Sequence, residues 1–229
     1  MARKILVALI AAILLTGPRA FAADDLNSVL KQLNTASQNF RSTSADFEID
    51  VTTTVPIENT DVQKGTVYYQ RTGKSFKMAA HINTINGQEA PKIYVYSNGQ
   101  FALWEGGNLD QVTTFAKAGK WESYLMLGFG ASGTELEQKW DIKYDGDETI
   151  NGVKTAKLSL VAKDPEVRKN LPKVTVWIDT SRGVSLKQVF DQGQGDTRTC
   201  TYSNFKVNQS LPGDAFTYKT DKNTNYVRK

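Results

Sequence analysis

The apolar positions of this chain change their period near Phe40. From Leu26 onward they fall three and four residues apart, at Val29, Leu30, Leu33, Ala36 and Phe40, which predicts a helix with one apolar stripe. Asp24 and Asp25 stand at its start, where acidic groups oppose the positive end of the helix dipole. After Phe40 the period is two: Ala45, Phe47, Ile49 and Val51 alternate with Ser44, Asp46, Glu48 and Asp50. Alternation of this kind predicts strands at about 43–55, 64–71, 75–83, 92–97, 100–105, 109–115, 140–145, 154–162, 173–179, 184–191 and 197–208. Between them lie short turn dipeptides, among them Asn86-Gly87, Asn98-Gly99, Asn151-Gly152 and Arg182-Gly183, of the kind that tight hairpins need. The pattern describes a long antiparallel meander with no repeat, low-complexity tract or linker to divide it, hence one domain.

Two stretches depart from simple alternation. In Val174–Phe190 the arms of a hairpin carry apolar residues on one face, yet Trp177 falls on the face that should meet solvent. A second apolar face needs a partner, and a ligand is one candidate. The second departure lies between Ala116 and Gln138, where Trp121, Tyr124, Leu125, Met126, Leu127 and Phe129 crowd a short helical span flanked by Gly119, Gly128, Gly130 and Gly133. Two readings stay open: a core helix plugging one end of a barrel, or a movable lid hinged on its glycines, whose Met and aromatic side chains adapt to varied apolar partners.

The N-terminus sets the compartment. Arg3 and Lys4 precede the apolar run Ile5–Leu15, and Ala20-Phe21-Ala22 supplies small residues at a cleavage site, the arrangement of a secretory signal peptide over residues 1–22. The run is shorter than the roughly 20 apolar residues that span a bilayer. Cleavage is expected after Ala22, or after Ala23, leaving a domain from residue 23 to 229 in the periplasm, with no cysteine at the new terminus to suggest a lipid anchor. Loss of Arg3, Lys4 and Arg19 reduces 28 basic residues to 25 against 24 acidic ones, so the charge argues against nucleic-acid binding. The single cysteine, Cys200, excludes an internal disulfide and reads as a small strand side chain.

The chemistry of catalysis is not assembled in the sequence. One histidine, His81, cannot build a multi-histidine zinc site, and Gly130-Ala131-Ser132-Gly133 lacks the spacing of a nucleophile elbow. Thr72–Ser75 has the end of a phosphate loop, but Tyr68 stands where its first glycine belongs. In Asp141–Glu148, Lys143 occupies the position of a calcium-ligand oxygen and Gly152 that of the bidentate glutamate. The expectation is a binding protein: not an enzyme, with no cofactor and no metal.

Four stretches carry a resemblance. Tyr68–Met78 (YYQRTGKSFKM), Tyr96–Trp104 (YSNGQFALW), the run from Val174 to Tyr218 and the opening helix with its first strand are similar to the LolA-like family of periplasmic lipoprotein carriers and its wider superfamily. The resemblance implies a mainly β (α+β) fold, a single curved antiparallel sheet forming an unclosed half-barrel, with an N-terminal helix and a helical lid over an apolar cavity. It implies a cavity lined by Phe47, Ile49, Val67, Tyr69, Trp104, Trp121, Leu125, Leu127 and Phe129. Arg71 matches the arginine that latches the family's lid; alternatively it covers a sheet edge. The function implied is a carrier that moves lipoprotein acyl chains from the inner toward the outer membrane. Its partners would be acylated lipoproteins or lipids, an inner-membrane donor transporter and an outer-membrane acceptor, served by a monomer that binds no nucleic acid. The alternatives are a free-lipid or glycolipid transport protein, or a lipid- or lipoprotein-sensing module of the same fold. Thr72-Gly73 in place of a proline turn, and the absence of Pro-x-Gly after Phe216, depart from the family pattern and bear on the cargo.

Overall fold

The computed structural model describes residues 19–73, 75–107, 109–115 and 122–229. Most of the expected leader, and Trp121, lie outside these residues. Helix α1 (Arg19–Asn39) is followed by β1 (Ser42–Thr53), β2 (Asn59–Thr72), β3 (Ser75–Ile85), β4 (Gln88–Ser97), β5 (Gln100–Glu105) and β6 (Gln111–Phe115). Two short helices, α2 (Glu122–Leu125) and α3 (Gly133–Lys139), precede β7 (Trp140–Ile150) and β8 (Val153–Ala162). Helix α4 (Pro165–Asn170) leads to β9 (Lys173–Asp179), β10 (Val184–Gly193), β11 (Asp196–Val207) and β12 (Asn225–Arg228). Each of the eleven strands expected from alternation is present.

All twelve strands form one sheet in the order β12-β6-β5-β4-β3-β2-β1-β11-β10-β9-β8-β7. The two ends of that order do not pair, so the sheet is an unclosed half-barrel. Consecutive strands are joined mostly by hairpins, and at Asn98-Gly99 both residues take the positive φ of a tight turn. Strand β1 pairs with β2 on one side and with β11 on the other and thereby joins the two halves of the chain. Register shifts at Ser44/Asp46, Ser185/Lys187 and Tyr144/Asp147 mark bulges, the local irregularities that bend a sheet.

The concave face carries the core. Ala45, Phe47 and Val67 from β1 and β2, Val174, Val176 and Ile178 from β9, and Val184, Leu186 and Phe190 from β10 are all buried. Against this face lies the stripe of α1, with Val29, Leu30, Leu33 and Phe40 buried as the helical period requires. Helix α3 is tied to α1 where Asn34 Oδ1 accepts the Thr134 backbone N–H at 3.0 Å. Its N-terminus is closed by a capping box: Glu135 N–H donates to Ser132 Oγ, and Glu135 Oε2 accepts from Ser132 N–H.

The convex face resolves the position of Trp177. Its cross-strand neighbours are Lys157 on β8 and Lys187 on β10. Their ammonium groups sit 5.0 and 4.9 Å from the indole ring, and the indole N–H donates to Glu148 Oε2 at 2.8 Å. The ring is thus 6% exposed, covered by lysine stems and their charges rather than by a ligand.

Two features differ from the sequence expectation. The chain beyond β11 crosses behind the sheet, with His81 Nε2 donating to the Ala215 carbonyl at 3.0 Å, and ends as β12, paired in parallel with β6. This adds one parallel strand to an otherwise antiparallel sheet. The apolar span between β6 and β7 is not one helix: after α2 the chain turns, makes a single β-bridge from Phe129 to Val184, and restarts as α3. Gly128 and Gly130 break it, with φ of +76° and +72°.

Candidate ligand pocket

Beneath α2, on the concave face, lies an inner apolar pocket of about 110 Å³. Alternation along β1 and β2 aims Phe47, Ile49 and Val67 into it, and Leu125, Leu127 and Phe129 roof it. These six sequence-nominated residues therefore meet at one place. The β1–β11 and β2–β3 registers bring in residues that the sequence reading did not nominate: Met78, Ala80, Tyr124, Gln188, Phe190, Arg198, Cys200 and Tyr202. Cys200 and Tyr202 stand directly opposite Ile49 and Phe47, so they share a face with them. The period-two pattern of β11 was visible in the sequence; its partner strand was not.

Three nominated residues lie elsewhere. Trp121 falls outside the described residues. Trp104 is opposite Ile93, and Ile93 opposite His81, which puts all three on the convex face. Its indole donates to Asp110 Oδ1 at 3.3 Å, so Trp104 is a correction to the expected lining. Alternation separates two faces of a strand without saying which is concave. Tyr69, wholly buried, borders a second cavity of about 490 Å³ at the mouth, together with Arg71, Phe76, Tyr96, Glu122, Met126 and Glu135.

Between these cavities runs an aromatic row. Tyr69 stacks on Phe76 and Phe129 at 5.3 and 6.2 Å between centroids, and Phe76 on Tyr96 at 5.0 Å. Phe129 meets Tyr202 edge-on at 5.4 Å, while Tyr124 of α2 covers Phe190 at 4.9 Å. Stacked and edge-on pairs add to the burial of each ring.

The roof is fastened unequally. Residues 127–130 are fixed through their backbone: Gln188 Nε2 donates to the Leu127 carbonyl at 2.6 Å, Ser185 N–H to the Gly128 carbonyl at 3.0 Å, and Gly130 N–H to the Gly183 carbonyl at 2.9 Å. Leu127 and Phe129 are 1% exposed. A methyl group on Gly128 would come within 2.2 Å of Ser185 Cβ, and one on Gly130 within 2.2 Å of the Phe40 ring. These glycines admit close packing rather than provide hinges. In contrast Tyr124, Leu125 and Met126 are half-buried, and α2 is held to the sheet through side chains: the Tyr96 hydroxyl bonds Glu122 Oε1, and the Tyr124 hydroxyl meets the Arg198 guanidinium.

Arg71 Nη2 donates to the Gly130 carbonyl at 3.0 Å and lies 3.6 Å from Glu135 Oε2, the same carboxylate oxygen that caps α3. Strand β2 runs between β1 and β3, so Arg71 has no sheet edge to cover. The walls of the inner pocket are uncharged at neutral pH except for Arg198. Burial pushes the Tyr124 hydroxyl and the Cys200 thiol each up to about 12, and raises Tyr202 well above its ordinary value.

No protein-family profile matches the chain, and no curated protein matches it. Solved structures do. A conserved protein of Thermus thermophilus superposes with a TM-score of 0.54 at 11% identity, covering 90% of this chain and 99% of that one. MucB superposes at 0.51 and 12% identity over 89% of this chain and 66% of its own; in a Pseudomonas aeruginosa MucA/MucB complex the values are 0.50, 14%, 85% and 61%. This chain therefore spans less than two thirds of the MucB chains it matches. A LolA superfamily protein of Nitrosomonas europaea is also matched, at 13% identity and a TM-score of 0.41, over 84% of this chain and 97% of that one. With its unclosed sheet, its helices on the concave side and its roofed apolar pocket, the chain shares the half-barrel fold of MucB and of the Thermus protein.

Proposed function

We infer that the protein is an exported carrier that binds the acyl chains of lipoproteins reversibly and passes them from the inner toward the outer membrane. The observation that supports this is the apolar pocket under a roof of which one part is tied to the sheet through its backbone and the other through side chains alone. At about 110 Å³ the pocket is smaller than the roughly 150 Å³ cavity that admits a benzene ring. An acyl chain needs more room than this, and α2 with Tyr124, Leu125 and Met126 is the part of the roof that can leave without breaking the bonds from residues 127–130 to Gln188, Ser185 and Gly183. Burial contributes about 0.8 kcal/mol per CH₂, hence on the order of 12 kcal/mol for sixteen carbons before the costs of immobilisation. Re-covering of the pocket by α2, secured by Arg71 through Gly130 and Glu135, offsets part of that gain and makes release possible.

In this reading the protein is a binding protein rather than an enzyme. His81 fits it: the imidazole bonds to Ala215 on the convex face, away from the pocket. A second reading, a lipid- or lipoprotein-sensing module, is favoured by the likeness to MucB, a protein seen in complex with MucA.

Protein isolated without detergent from its native compartment, analysed by intact-mass and lipid mass spectrometry, tests both. Co-purifying acylated lipoproteins support the carrier. A defined free lipid moves the function to lipid transport, and a bound protein with no acyl group favours the sensing module. A protein that is empty and takes up no added acyl ligand overturns all three.

A further inference from the structure

The inner pocket has one wall position that does not fit an acyl chain. On the concave side of β11 the alternation runs Tyr202, Cys200, Arg198, and all three line the pocket. Arg198 stands opposite Val51 on β1 and Phe190 on β10; beyond Val51 the same row reaches Asp61 on β2, whose carboxylate accepts from Asn86 Nδ2 at 2.7 Å. A pocket made only for hydrocarbon would continue that row with a valine or leucine.

Among the described residues no carboxylate makes a salt bridge with Arg198, and its Nε is buried without a hydrogen-bond partner. The polar groups that share the pocket are Tyr124, Gln188, Cys200 and Tyr202, and of these the Tyr124 hydroxyl meets the guanidinium. None of the four is an anion near neutral pH, because burial holds the phenols and the thiol in their neutral forms. Asp50 alternates with Ile49 and Val51 and so belongs to the opposite face of β1. A charged donor left unsatisfied in apolar surroundings is costly unless an anion completes it. Arginine is the side chain best shaped to grip a carboxylate or phosphate through two parallel bonds.

We propose that the pocket takes an amphiphile with an anionic head, the carboxylate or phosphate bonded to Arg198 and the hydrocarbon tail running along Phe190, Ile49 and Phe47 toward Phe129. This rests on the pocket being an acyl site and names the chemistry of the acyl group it selects. The head would lie at the Arg198 end of the pocket, and the aromatic row would receive the tail.

The test is calorimetric titration of the purified protein at pH 8 with dodecanoate, dodecyl phosphate and dodecanol, which share one tail and differ in the head. Wild type is expected to bind at least one anion about tenfold or more tightly than the alcohol, the ratio a charge-assisted hydrogen bond supplies. Preference for dodecanoate identifies a fatty-acid head, and preference for dodecyl phosphate a phospholipid head. In Arg198→Met that ratio should fall to about one with alcohol binding retained or strengthened, and Arg198→Lys should keep part of it. Near-UV circular dichroism of each variant establishes that the fold persists. Equal binding of all three ligands by wild type, or an anion preference that survives in a folded Arg198→Met, overturns the proposal and leaves the carrier reading standing. Binding of none of the three overturns both.

Discussion

Gln188 joins the roof of the pocket to its floor: its amide donates to the Leu127 carbonyl at 2.6 Å while its Oε1 accepts the Tyr202 hydroxyl at 3.2 Å. Both bonds are buried. Gln188→Leu conserves volume but strands a carbonyl and a hydroxyl, each of which costs about 1–3 kcal/mol when left unpaired. We expect a loss of about 2 kcal/mol, or roughly 4–8 °C in melting temperature, read by thermal unfolding. An unchanged melting temperature would mean that residues 127–130 do not depend on this side chain.

Arg71→Leu should separate binding from folding. Its bond to Gly130 is made by a side chain that is 20% exposed, so its loss should cost only about 1 kcal/mol in urea unfolding. The same loss falls on the closed empty state that competes with ligand. Affinity for a fluorescent acyl probe should therefore rise by up to about tenfold, with slower release in stopped-flow displacement. Wild-type release rates in the variant would remove Arg71 from the latch.

Gly128→Ala and Gly130→Ala place a methyl group 2.2 Å from another atom at a positive φ, and should each cost more than about 2 kcal/mol. Gly73, also at positive φ but with open space around it, gives the control: Gly73→Ala should cost about 1 kcal/mol. Urea midpoints that rank these the other way would restore the glycines of the roof as hinges.

His81 supplies a pH dependence. Burial lowers its pKa below the usual 6.5, against the raising effects of the Ala215 carbonyl and Asp214, so the folded protein favours the neutral imidazole. The unfolded chain then binds a proton first as pH falls, and stability declines from about pH 6.5 downward toward the folded pKa. Between pH 7.5 and 5.5 the wild type should lose urea resistance, and His81→Gln should lose less. Parallel losses in both proteins would assign the decline to other groups.

What could be read from the sequence follows the range of each interaction. The eleven strands are legible because alternation and turn dipeptides are local, written within about ten residues. That Phe47 and Ile49 share a face follows from the same alternation, and their place in a cavity from the family resemblance. Cys200, Tyr202 and Arg198 join them only through the pairing of β1 with β11, which no local pattern records. Trp104 shows the converse limit, since its face is set by which side of β5 curves inward. Strand β12 has four residues, too few to show a period, and finds β6 across more than a hundred residues. Gly128 and Gly130 read equally well as hinges or as points of close approach until Ser185 and Phe40 are placed beside them.

The pairing of Thr43 with Val207 has a consequence for how the protein is made. Strand β1 is synthesised well over a hundred residues before β11, one of its two neighbours. Until β11 arrives, β1 has an open edge and the pocket lacks a wall. Contacts so distant in sequence form slowly, because a long loop must close before they contribute. A nascent chain of this topology remains threadable through most of its synthesis, which suits the export proposed for it.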